Sequence, residues 1–160
     1  MIAPMVLAVL GQAASMPAQM PHGVLYDYSE AAQLCDSMGG MGELTVYDDF
    51  AQLADLNGDG VSDIIVDYSA ISCSDSASLY ASGSSGFALK VYLGGSGDLE
   101  PAYGTTVRGW SLIETADGPA LELTTAGGAS CGTADRSQSC TYRVSWYRDG
   151  FLEGPMRAAR

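Results

Sequence analysis

The sequence predicts a mainly β domain, built as a small antiparallel β-sandwich or a related small sheet fold with a short N-terminal helix. Short stretches of alternating apolar and polar residues, Gly-rich connections and two Asp-Gly dipeptides typical of hairpins lead to this prediction. The chain has 160 residues, of which 47% are hydrophobic, and this is enough for one packed core. We therefore expect a single domain over residues 16–160.

An apolar stretch, IAPMVLAVL, occupies residues 2–10 and is followed by small residues. This pattern is typical of a secretory leader, which we expect at residues 1–15. No Lys or Arg precedes the stretch and Pro4 interrupts it, so a disordered or packed N-terminal tail is the alternative. A membrane-spanning helix needs about 20 apolar residues. Since no segment reaches that length, no transmembrane anchor is expected.

A short helix and four strands are expected after this stretch. Ser29 can cap a helix over residues 29–38, which Gly39 and Gly40 would end. Alternating patterns predict strands over residues 87–93, 106–115, 119–125 and 141–148. The dipeptide Asp117-Gly118 predicts a hairpin turn between the second and third of these strands, and Asp149-Gly150 predicts a turn after the fourth. Val144 and Trp146 share a face that we expect in the core.

The charge of the chain is strongly acidic and unevenly distributed. There are 19 acidic and 7 basic residues, which gives a net charge of -12. Residues 1–89 contain no Lys or Arg, although 11 of the acids lie there. A nucleic-acid site needs clustered Lys and Arg, so no nucleic-acid partner is expected. His22 is the single histidine, so a Ser-His or Cys-His pair in the body of the domain is also excluded.

The four cysteines fit disulfides in an oxidising compartment, and we expect a secreted or periplasmic protein. Cys131 and Cys140 enclose a Gly- and Ser-rich segment that reads as a loop closed by its own bridge. By elimination, Cys35 would then pair with Cys73. A four-thiolate zinc site is the alternative, but the chain lacks the C-x-x-C spacing typical of such sites.

Residues 55–63, DLNGDGVSD, follow the spacing of a calcium loop. Asp55, Asn57, Asp59 and Asp63 would supply side-chain oxygens and Val61 its backbone carbonyl. Gly60 stands where such a loop bends most sharply. Calcium is the expected ion because it accepts six to eight oxygens with loose geometry. A metal-free turn rich in Asp and Asn is the alternative.

An EF-hand is excluded because its twelfth loop position should be a Glu and here is Val66. The β-branched run Ile64-Ile65-Val66 favours a strand after the loop. The loop is therefore expected between strands, with Asp67 or water completing the ligand shell.

The segment DLNGDGVSDIIVDY, followed by a strand and then VYLGGSGDLEPAYG (Val91–Gly104), resembles one unit of the FG-GAP/VCBS repeat family. The resemblance covers about residues 53–104 and implies Asp55, Asn57, Asp59, Val61 and Asp63 as calcium ligands. It also adds a single propeller-blade-like sheet as an alternative fold. The family builds propellers from several units, whereas this chain contains one copy. The rest of the chain is similar to small secreted bacterial proteins.

These observations favour a calcium-binding domain that is not an enzyme, in which the ion is structural and the surface binds a protein or a glycan. An acidic inhibitor or a structural subunit of a larger complex is the first alternative. A carboxylate-based hydrolase is the second, with Asp48, Asp49, Asp75 or Glu114 as candidate acids. Four aromatic residues could line a sugar-binding face, although residues in such positions are more often half-buried cross-strand pairs: Tyr92, Tyr103, Trp110 and Tyr147.

Overall fold

The computed structural model describes residues 21–38, 42–133 and 135–159. It has one helix, α1, His22–Ser37. The strands are β1 Leu44–Val46, β2 Ala51–Ala54, β3 Asp63–Asp67, β4 Ile71–Cys73, β5 Phe87–Tyr92, β6 Tyr103–Val107, β7 Gly109–Thr115, β8 Gly118–Ala126, β9 Ser139–Tyr147, β10 Gly150–Glu153 and β11 Arg157–Ala158. The expected leader at residues 1–15 and the expected helix stop at Gly39-Gly40 lie outside the described residues.

The strands form two antiparallel sheets and a small ribbon. The first sheet has the order β2-β3-β5-β6, and the second has the order β10-β9-β8-β7 with β11 also paired to β9. The ribbon consists of β1 and β4. The mainly β architecture with one helix, expected from the alternating patterns, is therefore confirmed, and its two sheets match the sandwich rather than the single-blade alternative.

One core cluster lies between the two sheets and another lies under the helix. The first joins side chains of both sheets: Leu56, Ile65, Leu89, Val91, Val107, Leu121, Leu123, Tyr142 and Val144. The second packs the helix and the ribbon onto the other face of the first sheet: Val24, Ala31, Phe50, Ile64, Val66, Ala70, Ile71 and Tyr92. The first sheet is thus covered on both faces, with helix, sheet and sheet as successive layers.

This layering explains the two central strands of the first sheet. All five residues of β3 are buried, because Ile64 and Val66 face the helix while Ile65 faces the second sheet. In β5, Leu89 and Val91 also face the second sheet, as the alternating pattern predicted. A strand that is covered on both faces can carry a continuous apolar run.

The prediction of one strand over residues 106–115 is wrong in one respect, because this range contains the end of β6 and the whole of β7. The chain leaves the first sheet after Val107 and enters the second at Gly109, so Arg108 is the corner between them. The Arg108 side chain donates to the backbone oxygens of Ser84 (2.8 Å) and Gln138 (2.8 Å). It thereby ties two loops to the corner.

The predicted hairpin at Asp117-Gly118 is confirmed, since Thr115 pairs with Gly118 across a two-residue connection. The turn before Gly150 is confirmed in the same way, with Tyr147 opposite Gly150. Both connections are short because β7–β8 and β9–β10 are antiparallel neighbours in one sheet.

The helix begins seven residues before the predicted start at Ser29. Pro21 occupies the N-cap position with φ of -52°, and its carbonyl accepts the backbone N–H of Val24 at 3.0 Å. Ser29 lies inside the helix, where its hydroxyl accepts from the Gln33 side chain at 2.9 Å. Proline is tolerated at a helix start because the missing N–H would have no partner inside the helix.

Candidate functional site

The loop at residues 55–63 connects β2 to β3 at one end of the first sheet. Ala54 pairs with Asp63, so the loop closes a hairpin between two neighbouring strands. The expected position of the loop between strands is therefore confirmed. The long apolar run that follows it is β3, which anchors one side of the loop in the core.

The Asp55 carboxylate organises the bend of this loop. One oxygen accepts the backbone N–H of Gly58 at 2.8 Å and that of Asp59 at 3.2 Å. The other oxygen accepts the backbone N–H of Gly60 at 2.9 Å. These bonds wrap the backbone around the side chain of the first predicted ligand.

Asn57 and Asp59 continue the same pattern. The Asn57 amide oxygen accepts the backbone N–H of Asp59 at 3.0 Å, and an Asp59 oxygen accepts that of Val61 at 2.7 Å. The Asn57 amide nitrogen donates to the second Asp59 oxygen at 2.9 Å. The oxygens of three predicted ligand side chains therefore surround one short stretch of backbone.

Gly58 and Gly60 have φ values of +75° and +84°. A side chain at either position would be strained because these are left-handed conformations. The predicted need for a glycine at position 60 is met, and Gly58 is a second such position. The glycines allow the repeated turns by which Asp55 accepts three backbone N–H groups.

Asp63 differs from the other predicted ligands because it is fully buried. One of its oxygens accepts the backbone N–H of Leu56 at 2.8 Å, and the other accepts that of Gly94 at 2.8 Å. A Cβ on Gly94 would lie 2.3 Å from the Ser62 carbonyl oxygen, so only glycine fits there. Asp63 thus clamps the start of the loop to the turn after β5.

This clamp is a contact that the sequence did not predict. It joins the calcium-like motif to the Gly-Gly turn within residues 91–104, the second segment of the resemblance. The only feature of the sequence that could have indicated this contact is that both segments belong to the stretch that resembles one FG-GAP/VCBS unit. Their contact depends on the pairing of β3 with β5, which brings Ile64 opposite Tyr92.

The expectation that Asp67 could complete a ligand shell is wrong. Asp67 lies at the opposite end of β3 from Asp63, about 13 Å away for an extended strand. Its carboxylate accepts the Ser69 backbone N–H and the Trp110 ring N–H, each at 2.7 Å. This carboxylate connects the first sheet to β7 and is not available to the loop.

A cation at the loop would depend on few carboxylates. Over residues 21–38, 42–133 and 135–159, no group of three or more His, Cys, Asp or Glu side chains is placed to hold a metal. The oxygens present are those of Asp55 and Asp59, the Asn57 amide and the Val61 carbonyl. All are hard donors. One Asp55 oxygen already accepts two N–H groups, whereas its other oxygen, the Asn57 amide oxygen and both Asp59 oxygens accept one each and retain a lone pair. This donor set fits calcium supplemented by water, and it does not fit a soft metal.

The acids proposed for hydrolysis do not form a pair. Asp48 and Asp49 lie in the turn after β1, while Asp75 follows β4 at the other end of the antiparallel β1–β4 ribbon. Glu114 is exposed on β7, in the second sheet. Paired carboxylates need to flank one bond of the substrate. Asp75 and Glu114, the acids expected to complete a pair with Asp48 or Asp49, lie elsewhere in the fold.

The four aromatic residues considered for a sugar face are also separated. Tyr92 is buried under the helix, whereas Tyr147 is exposed at the end of β9. Trp110 is half-buried and bonded to Asp67, and Tyr103 donates to Glu153 at 2.7 Å. Of the two interpretations, the half-buried packing role is the one that fits Tyr103 and Trp110.

The structure contains a buried polar cluster that the sequence did not predict. Asp27 on α1 is 2% exposed, and its two oxygens accept from Lys90 at 2.7 Å and from the Tyr92 hydroxyl at 2.8 Å. Tyr68 lies beside this cluster. Its pKa is raised mainly by burial and, to a smaller extent, by the nearby Asp27 carboxylate. The alternation of β5 did place Lys90 and Tyr92 on one face, but not Asp27 opposite them.

Within the described residues, Lys90 and Asp27 form the one ion pair. The carboxylates of Asp55 and Asp59 therefore have no Lys or Arg beside them in that part of the chain. Each is instead stabilised by backbone N–H groups. The half-buried carboxylate of Asp55 and the exposed carboxylate of Asp59 leave a concentration of negative charge at this end of the sheet.

Both expected disulfides are present. Cys35 on α1 is bonded to Cys73 on β4, with Cα atoms 5.6 Å apart, and Cys131 is bonded to Cys140 with Cα atoms 6.0 Å apart. The described residues include no helix that is long and apolar enough to cross a membrane. Comparisons with protein-family models, with curated proteins and with solved structures found no match.

Proposed function

We propose that the chain is a secreted or periplasmic calcium-binding domain in which the ion is structural and the surface serves as a protein- or glycan-binding module. The observation that carries this proposal is the loop at residues 55–63, where Asp55, Asn57 and Asp59 oxygens surround one bend. Two disulfides support an oxidising compartment. The likeness to one FG-GAP/VCBS unit belongs to this proposal and is supported by the contact between its two segments.

Calcium at this loop would neutralise Asp55 and Asp59 and hold the β2–β3 connection in one conformation. Ions that bind the folded state and not the unfolded chain stabilise the fold by mass action. Loops of this kind in extracellular modules bind calcium with a Kd of about 10⁻⁴–10⁻³ M. The site would therefore be filled at extracellular calcium levels.

Thermal unfolding in calcium and in chelator tests the proposal. Calcium at about ten times its Kd should stabilise the domain by about 1.4 kcal/mol, which raises Tm by about 3–5 °C. Magnesium at the same concentration should raise Tm less, because it keeps its own water shell and demands a stricter geometry. Isothermal titration should give one site per chain.

The matched variants for this test are Asp59→Asn and Asp49→Asn. Both remove one exposed carboxylate from a turn, but only Asp59 lies in the loop. Asp59→Asn should abolish the calcium-dependent rise in Tm, and Asp49→Asn should retain it. A Tm that is the same in calcium and in chelator for the wild-type domain would sink the proposal.

A further inference from the structure

An apolar stripe runs along the outer surface of α1. Tyr26, Leu34 and Met38 are 53%, 45% and 53% exposed and recur at multiples of four residues. Glu30 fills the remaining position of this spacing, so one carboxylate interrupts three apolar side chains. We name these four residues the α1 stripe. Several exposed apolar side chains rimmed by polar residues are typical of interaction sites.

A groove of about 570 Å³ lies beside the α1 stripe. Glu30 and Leu34 form its helical wall, and Tyr68 and Tyr80 form the opposite wall with ring centroids 6.3 Å apart. The Tyr80 hydroxyl donates to the Ala31 carbonyl at 2.6 Å, which holds its ring against the helix. The groove therefore has fixed aromatic and aliphatic walls and one carboxylate at its edge.

The charge around this groove favours a cationic occupant. Its lining contains Glu30 and no Lys or Arg, and α1 carries three acids but no Lys or Arg. Lys90 lies over the ring of Tyr68, a residue of the groove, at 5.3 Å and is already paired with Asp27. The field at the groove is therefore negative, and a second copy of this chain, with a net charge of -12, would be repelled.

We infer that the groove and the α1 stripe bind a basic amphipathic segment of a partner protein. A Lys or Arg of that segment lays its hydrocarbon stem along Leu34 and Tyr80 and brings its charged head to the Glu30 carboxylate. Apolar residues of the same segment cover Tyr26 and Met38. This inference specifies the partner chemistry of the proposed binding module and does not depend on the calcium loop.

NMR titration of the calcium-saturated wild-type domain with an amphipathic peptide of leucine and lysine tests the inference. At physiological ionic strength, saturable shifts are expected at the amides of α1, Tyr68 and Tyr80, with β8 and β9 unchanged. A peptide in which glutamate replaces every lysine should not bind. Shifts concentrated at residues 55–63 or spread over all acidic surfaces, or equal binding of the glutamate peptide, would overturn the inference.

Three variants give the matched comparison. Glu30→Gln should weaken binding about threefold to fivefold, as an exposed charge pair is lost. Leu34→Ser should weaken it about tenfold through lost apolar contact. Asp36→Asn removes a charge from another side of the same helix and should change affinity by less than about twofold. Equal weakening by Glu30→Gln and Asp36→Asn would mean non-specific attraction and overturn the inference.

Self-association and calcium dependence are measured separately. A peptide-free wild-type sample whose diffusion slows with concentration while the α1 amides shift would place a second copy on the α1 stripe and overturn the inference. Repeating the peptide titration in chelator distinguishes the two proposals. Peptide binding without any calcium effect on Tm would support the docking groove and contradict the calcium site. A calcium effect on Tm without peptide binding would support the calcium site and contradict the docking groove.

Discussion

Asp59 and Asp63 show how one residue type performs two tasks in the same loop. Asp59 is exposed and accepts N–H groups within the bend, whereas Asp63 is fully buried and accepts from Leu56 and Gly94. A buried carboxylate without its N–H donors would be costly, and buried N–H groups without an acceptor would be equally so. Asp63 is therefore needed for the fold whether or not an ion is bound.

Asp63→Asn should destabilise the domain even in chelator. The amide nitrogen would face a backbone N–H, which leaves a buried donor unpaired and costs about 2 kcal/mol. Asp59→Asn should change the stability in chelator by less than about 0.5 kcal/mol, as expected for an exposed position. Urea unfolding in chelator measures both values. If Asp63→Asn is as stable as the wild type, Asp63 does not act as a clamp.

Asp27 is the second buried carboxylate with a defined task. Asp27→Ala would leave the Lys90 ammonium and the Tyr92 hydroxyl without their acceptor under α1, at a cost of about 3 kcal/mol. Asp36→Asn, on the exposed side of the same helix, should cost less than about 0.5 kcal/mol. Urea unfolding of both variants checks this. The double variant Asp27→Leu with Lys90→Met should regain part of the loss; a loss equal to the sum of both single changes would show that the pair is not coupled.

At the scale of elements, α1 is held to the rest of the domain by three different interactions. Val24 and Ala31 pack on the first sheet, Asp27 pairs with Lys90, and Cys35 is bonded to Cys73 on β4. The amphipathic pattern of the helix is incomplete because the α1 stripe remains exposed on its outer side. Covalent and ionic attachments therefore supplement a small apolar face.

The two disulfides should differ in their contribution to stability. Cys35 and Cys73 are 38 positions apart in the sequence. Replacing both with alanine opens this loop in the unfolded chain, and the chain-entropy relation gives a loss of about 4 kcal/mol in the free energy of unfolding. The same change at Cys131–Cys140, with a separation of 9, gives about 2.5 kcal/mol. Urea unfolding of the two double variants measures the difference. A larger loss for the shorter bridge would contradict the unfolded-state explanation.

At the scale of the whole molecule, tyrosines occupy both interfaces of the layered fold. Tyr68 and Tyr92 lie between α1 and the first sheet, and Tyr103 packs against the core between the sheets. Burial is the main cause that raises the pKa of all three hydroxyls. The Asp27 carboxylate raises the pKa of Tyr68 and Tyr92 further. Hydrogen bonds with Tyr142 and Glu153 do the same for Tyr103. The folded state therefore keeps these hydroxyls protonated where the unfolded chain would release the protons.

Stability should consequently fall at alkaline pH. The contribution of the three tyrosines is fully present below the unfolded pKa of about 10 and is lost progressively as pH rises above it toward their raised folded pKa values. Tyrosinate absorbance, followed together with circular dichroism, should show Tyr68, Tyr92 and Tyr103 releasing their protons only as the domain unfolds. If these three tyrosines titrated near the ordinary tyrosine pKa of about 10 with the fold intact, the prediction would be wrong.

The sequence was sufficient wherever neighbouring residues decide the conformation. The strands at 87–92 and 118–126, both hairpin turns and the bend at Gly60 follow from side-chain alternation and from backbone preferences over a few residues. The Cys131–Cys140 bridge is local for the same reason. The spacing of Asp55, Asn57 and Asp59 likewise predicted that their oxygens would gather at one bend, since each accepts an N–H at most five residues away.

Only the tertiary structure decided which distant groups meet. The turn to the second sheet at Arg108, the burial of Asp27 beside Lys90 and the contact of Asp63 with Gly94 join residues separated by tens of positions along the chain. Asp67 was misassigned for the same reason, because its partner Trp110 belongs to the other sheet. A local pattern specifies which face a side chain occupies, but the element that covers that face is selected by the packing of the whole domain.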